Sequence, residues 1–364
     1  MFSACHAALT GTLGQQFALS KSRLLTLAVL IMGVAQARTV NLTHLASHVP
    51  GNATHASAYR RLQRFFQFVR LDTDRMAQFV VHMLNLERKK CLALDRTNWK
   101  IGATDVNILM LAIVTRRFRV PLMWSLLPHQ GNSDTDQRIA LMRRYLALFP
   151  AASIELLLAD REFIGTRWMN FLQQHQIPFA IRVKDDMTLT LADGQTWSLA
   201  TLLRRKRARR VAALLQGRLN GTAGATKEPL QLAAKRLADG QWLIVATNRH
   251  DARQALNDYR RRWGIECLFG DAKTRGLNLE DTRLRAAEKL DCLLVVVTLA
   301  ITWAYRCATR TLVMKAIARK THGRRQKSWF RVGLDALRRW IINDPHRASH
   351  AWLEKAPRRP LSFP

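Results

Sequence analysis

The stretch YRRRWGIECLFGDAKTRG, Tyr259–Gly276, carries an aromatic, a cluster of arginines, one glutamate and a lysine at intervals too regular for a loop. Counted from Tyr259, the residues Arg262, Glu266 and Lys273 follow at offsets of 3, 7 and 14. At roughly 100° per helical residue these four directions fall within an arc of about 60°. The expectation is one helix with a single polar stripe. A Glu between Arg and Lys on a helix also reads as half of an ordinary ion pair, and Gly264 and Gly270 each weaken a helix by about 1 kcal/mol relative to Ala. The stripe acquires chemical meaning if other parts of the chain bring partners to Glu266.

Two such partners stand upstream. CLALD (Cys91–Asp95) and IELLLAD (Ile154–Asp160) are short apolar runs that each end in a carboxylate, the pattern of a buried strand delivering an Asp at its end. Taken singly, an Asp at a strand end is as readily a turn or cap residue. Between the two lie NILMLAIV (Asn107–Val114) and VPLMWSLL (Val120–Leu127), expected as antiparallel neighbours, and a helix opening at Ser133 or Asp134 with Ile139, Leu141, Met142, Tyr145 and Leu146 on its apolar face. A helix over about 166–175 leads to the strand PFAIRV (Pro178–Val183), and WLIVATN (Trp242–Asn248) precedes the helical stretch that starts at Asp251. Strands alternating with helices predict an α/β core.

From Asp185 to Gly240 the texture changes to short strand-like runs between turn signals at Asp193-Gly194, Gly217, Asn220-Gly221, Gly224 and Asp239-Gly240, which reads as a β-rich insertion. It contains RRKRARR (Arg204–Arg210), either a solvated face or a phosphate-contacting segment. Nearer the N-terminus, NLTHLASHVPGNATHASAYRRLQRFF (Asn41–Phe66) has helix-turn-helix grammar. A short helix over Leu42–Ser47 and a turn at Pro50, Gly51 and Asn52 precede a second helix, which presents Tyr59, Arg60, Arg61 and Arg64. Leu45, Ala46, Ala58 and Leu62 supply packing between the two, so the pattern serves either DNA reading or plain helical packing. KSRLLTLAVLIMGVAQA (Lys21–Ala37) has the grammar of a secretory signal but starts twenty residues in, and a buried helix is the expectation. The apolar run Leu293–Tyr305, within a helix expected over about 286–309, falls short of the ~20 residues a bilayer needs. No membrane partner is expected.

The 364 residues suffice for more than one domain, and a hydrophobic content of 48% supports a packed core. The 58 Lys+Arg against 26 Asp+Glu leave a formal charge of +32. Such an excess self-repels unless a polyanion neutralises it, which makes nucleic acid the leading partner. Five cysteines (Cys5, Cys91, Cys267, Cys292, Cys307), odd in number and without a CxxC pair, point to neither a disulfide framework nor a zinc knuckle, and a reducing cytoplasm is the simpler reading. GRRQKS at Gly323 lacks the phosphate-binding pattern of nucleotide hydrolases, so no nucleotide cofactor is expected. In so basic a chain, converging Asp95, Asp160 and Glu266 make sense as ligands of divalent cations. Hard Mg²⁺ prefers oxygen donors, and two such ions can promote in-line displacement at phosphorus.

The spacing Tyr259-x₂-Arg262-x₃-Glu266-x₆-Lys273 resembles the Y-R-E-K signature of bacterial insertion-sequence transposases, the cut-and-paste group with a ribonuclease-H-like DDE core. RRWGIECLFGDAKT, LDRTNW around Asp95, LLADREF around Asp160, WLIVATN and the helix-turn-helix stretch are similar to that family as well, so the resemblance runs from about Leu42 to Arg285. It implies an α/β, ribonuclease-H-like core, a mixed sheet flanked by helices, interrupted by a β-rich insertion. Helical DNA-binding and C-terminal regions would flank it. The implied division is 1–85 helical DNA-binding, 86–310 catalytic with 185–240 as the insertion, and 311–364 a basic helical C-terminal region. It further implies Asp95, Asp160 and Glu266 as the metal ligands for two Mg²⁺ ions, with Mn²⁺ as substitute. Tyr259, Arg262 and Lys273 would hold the DNA backbone, and Trp242 would stack on a flipped base, although an aromatic at a strand start packs equally well in a core. Double-stranded DNA and a homodimer on DNA are the implied partners. The rival readings are a nuclease of the same core without strand transfer and a DNA-binding regulator descended from a transposase.

Overall fold

A computed structural model describes residues 3–205, 213–314, 317–321, 323 and 325–355. Five helices come first: α1 (Ser3–Gln16), α2 (Lys21–Ala37), α3 (Leu42–Ala46), α4 (His55–Phe68) and α5 (Thr73–Leu84). The sequence KSRLLTLAVLIMGVAQA forms α2, buried from Thr26 to Ala35. The helix-turn-helix grammar is realised by α3 and α4. Asn41 and Thr54 cap them by accepting the Thr43 and Ser57 backbone N–H groups, and Gly51 takes the left-handed turn at φ 108°. Leu45, Ala46, Ala58 and Leu62 are buried as expected.

The centre is a mixed sheet. β1 (Lys90–Ile101), β2 (Thr104–Val114) and β3 (Arg119–Leu126) form an antiparallel meander. The helix α6 (Thr135–Leu148), started by a capping box of Asp134 and Gln137, then carries the chain to β4 (Ile154–Ala159), which lies parallel to β1. A further crossover through α7 (Thr166–Gln174) adds β5 (Phe179–Val183), parallel to β4. Burial without interruption from Val106 to Val114 shows why β2 reads as one apolar run: both faces of the sheet are covered there. The apolar run CLALD predicts a first strand that ends at Asp95. The strand instead continues to Ile101, because RTNWKI pairs residue by residue with the start of β2.

β6 (Thr188–Thr190), β7 (Thr196–Ser198), α8 (Leu199–Arg205), β8 (Ala213–Gly221), β9 (Gly224–Ala225) and β10 (Leu230–Arg236) follow, before β11 (Trp242–Thr247). The basic run beyond Arg205 lies outside the described residues. The strand order is β3-β2-β1-β4-β5-β11-β10-β8-β6-β7, with β9 on β8, so these strands prolong the same sheet across β11. After β11 come α9 (Ala252–Tyr259), a 3-10 turn (Arg260–Arg262), α10 (Trp263–Ala272), α11 (Ala287–Met314), α12 (Trp329–Asn343) and α13 (Pro345–Leu353).

α11 is longer than its apolar run suggests. Its 26 residues Ala287–Leu312 are long and apolar enough to cross a membrane by length and composition, and their most apolar window is wholly buried within the fold. α2, α5, α12, α13 and β3 pack around this helix. Gly333 lets α12 approach closely: a Cβ built there would overlap the Ala304 carbonyl oxygen of α11.

Lys90, at the start of β1, is fully buried, its Nζ 5.0 Å from the Phe149 ring centroid and 5.9 Å from that of Tyr145, with no hydrogen-bond partner among the described residues. Burial pushes its ammonium down to about 8, against about 10.4 in an unfolded chain. The folded state therefore binds fewer protons between these values. Stability rises as pH climbs from about 8 to about 10.4, and the whole penalty stands below that window. Lys90→Met is expected to stabilise the protein at pH 7 by on the order of 2 kcal/mol. Thermal melts of variant and wild type should converge as pH approaches about 10.

Candidate active site

Parallel pairing of β1 with β4 sets Leu94 opposite Ala159, so the next residues, Asp95 and Asp160, stand side by side where both strands leave the buried layer. Each carboxylate is fixed by the backbone N–H that follows it: Arg96 donates to Asp95 Oδ1 and Arg161 to Asp160 Oδ1, both at 2.8 Å. The α9–turn–α10 segment crosses these positions and brings Tyr259, Arg262 and Glu266 to them. Tyr259 donates its hydroxyl to Asp160 Oδ1 at 3.2 Å. Arg262 donates Nη1 to Asp95 Oδ2 at 3.0 Å and Nη2 to Glu266 Oε1, with Nη2 also 3.8 Å from Asp160 Oδ2. One guanidinium thus touches all three acids.

The predicted single helix is broken. The 3-10 turn at Arg260–Arg262 separates α9 from α10, and Lys273 is the residue that ends α10. Its ammonium turns away from the acids, donating to the Asn98 carbonyl (3.0 Å), pairing with Glu280 (2.9 Å) and resting 5.3 Å from the Trp99 ring centroid. Three of the four stripe residues therefore meet; the fourth braces β1.

Electrostatics follow from burial. The Asp95 carboxyl is pushed up to about 6, first by burial and then by the like charges of Asp160 and Glu266, against the opposing pull of the Arg96 N–H and Arg262. Burial raises the Tyr259 phenol well above its ordinary range, so it acts as a hydrogen-bond donor. Burial works against the Arg262 charge, but Tyr259, Asp160, Asp95 and Glu266 outweigh it and hold the guanidinium above its usual range.

Among the described residues no three His, Cys, Asp or Glu side chains stand close enough together to hold an ion as they are. The three carboxylates are instead spread around Arg262. In kind they fit a divalent cation, because carboxylate oxygens suit Mg²⁺ and Mn²⁺.

The surface carries two basic clefts, of which the first adjoins the acids through Arg161 and Arg182. This first cleft, of about 600 Å³, is lined by Arg161, Arg182, Lys184, Arg204, Arg236 and Trp242. Trp242 is partly buried, with the Arg236 guanidinium 5.7 Å from its ring centroid, so it packs on the core and faces the cleft at once. The other, of about 560 Å³, lies between α2 and α4 and is lined by Arg23, Arg60, Arg61, Arg64 and Phe68. Arg61 is tied down by its Nε–H to Thr26 (2.9 Å). Tyr59 lies on the other flank of α4, in a groove shared with Arg64, Arg283 and Lys289.

Sequence reasoning passed over Arg182, 3.9 Å from Asp160, although a lone arginine inside the apolar strand PFAIRV was a usable signal. It also passed over Trp263, which is 63% exposed beside Arg262. The position of an aromatic next to the signature did not reveal its exposure, which depends on the 3-10 turn before it.

The family model described as Transposase DDE domain matches residues 87–303. No curated protein matches the chain. A match over more than half the length, on a mixed sheet with parallel strands flanked by helices, places this chain among the transposases with a DDE domain, enzymes that cut DNA and transfer its strands.

Proposed function

We propose that the chain is a cut-and-paste transposase of the Y-R-E-K group that excises its own insertion sequence through hairpin ends. The observation that carries this reading is the meeting of Asp95, Asp160 and Glu266 around Arg262, with Tyr259 beside them. Asp95, Asp160 and Glu266 would hold two Mg²⁺ ions, for which Mn²⁺ can substitute. Bound there, the ions would supply Lewis-acid activation of the attacking oxygen and charge stabilisation of the departing one. Water nicks one strand, the freed 3′ hydroxyl attacks the opposite strand to close a hairpin, water reopens it, and the 3′ hydroxyl then joins target DNA.

Around this chemistry the protein's own groups orient the substrate. Arg262, Arg182 and Tyr259 present donors to backbone phosphates next to the reacting bond. Trp242, open to the cleft of Arg161 and Arg182, offers a face on which an extruded base can stack, and exposed Trp263 offers a second. Tyr59, Arg60, Arg61 and Arg64 of α4 grip the element's ends, with Lys273 bracing the strand that carries Asp95. In this reading residues 1–85 bind DNA, 86–310 perform catalysis with 185–240 as the inserted segment, and 311–364 are the basic C-terminal region, whose α12 and α13 pack on α11. The working form is a dimer on DNA in the cytoplasm.

Double replacement of Arg60 and Arg64 by Ala is expected to weaken binding to all duplexes. The slope of log affinity against log salt should fall by about 2, because two fewer phosphates are neutralised and correspondingly fewer counterions released. Fluorescence anisotropy across a salt series reads this directly. The reading as a whole is tested by incubating the protein and Mg²⁺ with linear DNA carrying the gene and its natural flanks. Discrete nicks and hairpin ends at both borders support it, whereas border binding without cleavage in Mg²⁺ or Mn²⁺ supports a DNA-binding regulator instead.

A further inference from the structure

We infer that Arg262 is an internal counter-ion that occupies the centre of the carboxylate site in competition with metal, and that it leaves this place for a DNA phosphate. The inference rests on the metal-site reading above. Its guanidinium bonds Asp95 and Glu266 and approaches Asp160 to 3.8 Å, and the side chain is only 12% exposed. Three carboxylates this close repel one another, and breaking a buried ion pair by removing one partner leaves an uncompensated charge. Arg262 supplies the central positive charge, with Arg182 at the margin, 3.9 Å from Asp160.

The same geometry excludes a metal. Mg²⁺ takes oxygens at ~2.0–2.1 Å, so ligands sharing one ion must draw in closer to one another than a guanidinium between them permits. Arg262 and the ion are alternative occupants of one place. The turn that bears Arg262 is itself pinned, because Arg261 pairs with Glu155 at 2.7 Å on β4. The exchange is therefore a swing of the long Arg262 side chain over a fixed backbone. Tyr259, whose ring centroid lies 6.0 Å from the guanidinium, flanks its path.

Two linked consequences follow. A phosphate that draws Arg262 outward frees the carboxylates, so DNA tightens metal binding, and by reciprocity metal tightens DNA binding. The DNA-free protein is then kept from loading metal fully before a substrate is in place.

The test is Mn²⁺ binding by isothermal titration to full-length wild type, Arg262→Gln and Arg262→Lys, each with and without a duplex oligonucleotide of the element's end. Without DNA, Arg262→Gln is expected to bind Mn²⁺ about tenfold more tightly than wild type, within the range of ordinary coupling between sites. Adding DNA should tighten Mn²⁺ binding by wild type and leave Arg262→Gln unchanged. Should the glutamine variant not fold, Arg262→Lys carries the test, since its point charge cannot span two carboxylates as the planar fork does. It too should bind Mn²⁺ more tightly than wild type. Equal or weaker Mn²⁺ binding by the variants would overturn the inference. Asp95→Asn separates the two failures: if it leaves Mn²⁺ binding intact in both the wild-type and the Arg262→Gln backgrounds, the metal-site reading itself is wrong.

Discussion

Glu266→Gln should abolish strand cleavage while leaving DNA binding intact. The substitution keeps the shape of the side chain on the first turn of α10 and removes one anionic oxygen pair from the acids that meet at Arg262. A residue that merely orients a metal ligand typically costs 10–100-fold when mutated, so loss of a ligand should exceed about a hundredfold. Glu266 is part-exposed and belongs to no hydrophobic layer, so the fold should tolerate the amide. The measurement is single-turnover cleavage on denaturing gels, paired with anisotropy on the same border DNA. Cleavage within tenfold of wild type would remove Glu266 from the site; loss of binding together with cleavage would make it a structural residue.

Gly333→Ala is expected to cost at least about 3 kcal/mol of stability, the upper part of the range for overpacking. The added methyl would meet backbone, the Ala304 carbonyl, and crowd the Ala308 side chain as well, so no rotamer change can relieve it. α12 would have to lift from α11, whose most apolar window is wholly buried. Chemical denaturation should show the midpoint falling at unchanged slope. A shift below about 0.5 kcal/mol would mean that the two helices can slide apart without penalty, contrary to their packing.

Much of the architecture is legible in residue order, and the parts that are not have specific causes. IELLLAD yields both strand and acid because the hydrophobic run stops where β4 leaves the buried layer. CLALD misleads about length, since RTNWKI continues the strand with one face covered, alternating buried Thr97, Trp99 and Ile101 with more exposed residues, so the apolar run stops before the strand does. The stripe from Tyr259 to Lys273 assumes a constant 3.6-residue period. A three-residue 3-10 turn hardly alters the local sequence pattern, yet it shifts the phase of everything after it. By Lys273 the accumulated difference, together with the end of α10, sends the side chain to Asn98 and Glu280. The central place of Arg262 depends on an acid 167 positions away, fixed by strand register and so invisible to any local window. The helix expected over about 286–309 is α11, and only its last turn, on to Met314, goes beyond what the apolar run and its helix-forming flanks indicate.

β11 bonds to β5 on one side and to β10 on the other, within one sheet that runs from β3 to β7. Without the strands that the chain inserts between β5 and β11, the apolar sequence WLIVAT would become an outer strand with a bare row of N–H and C=O groups. Such an edge is a template for pairing between molecules, and flat hydrophobic ones aggregate. The segment that frames the Trp242 cleft therefore has a second task in the life of the polypeptide. It gives the apolar strand β11 a hydrogen-bonded neighbour on each side and moves the sheet's edge out to the short strand β7.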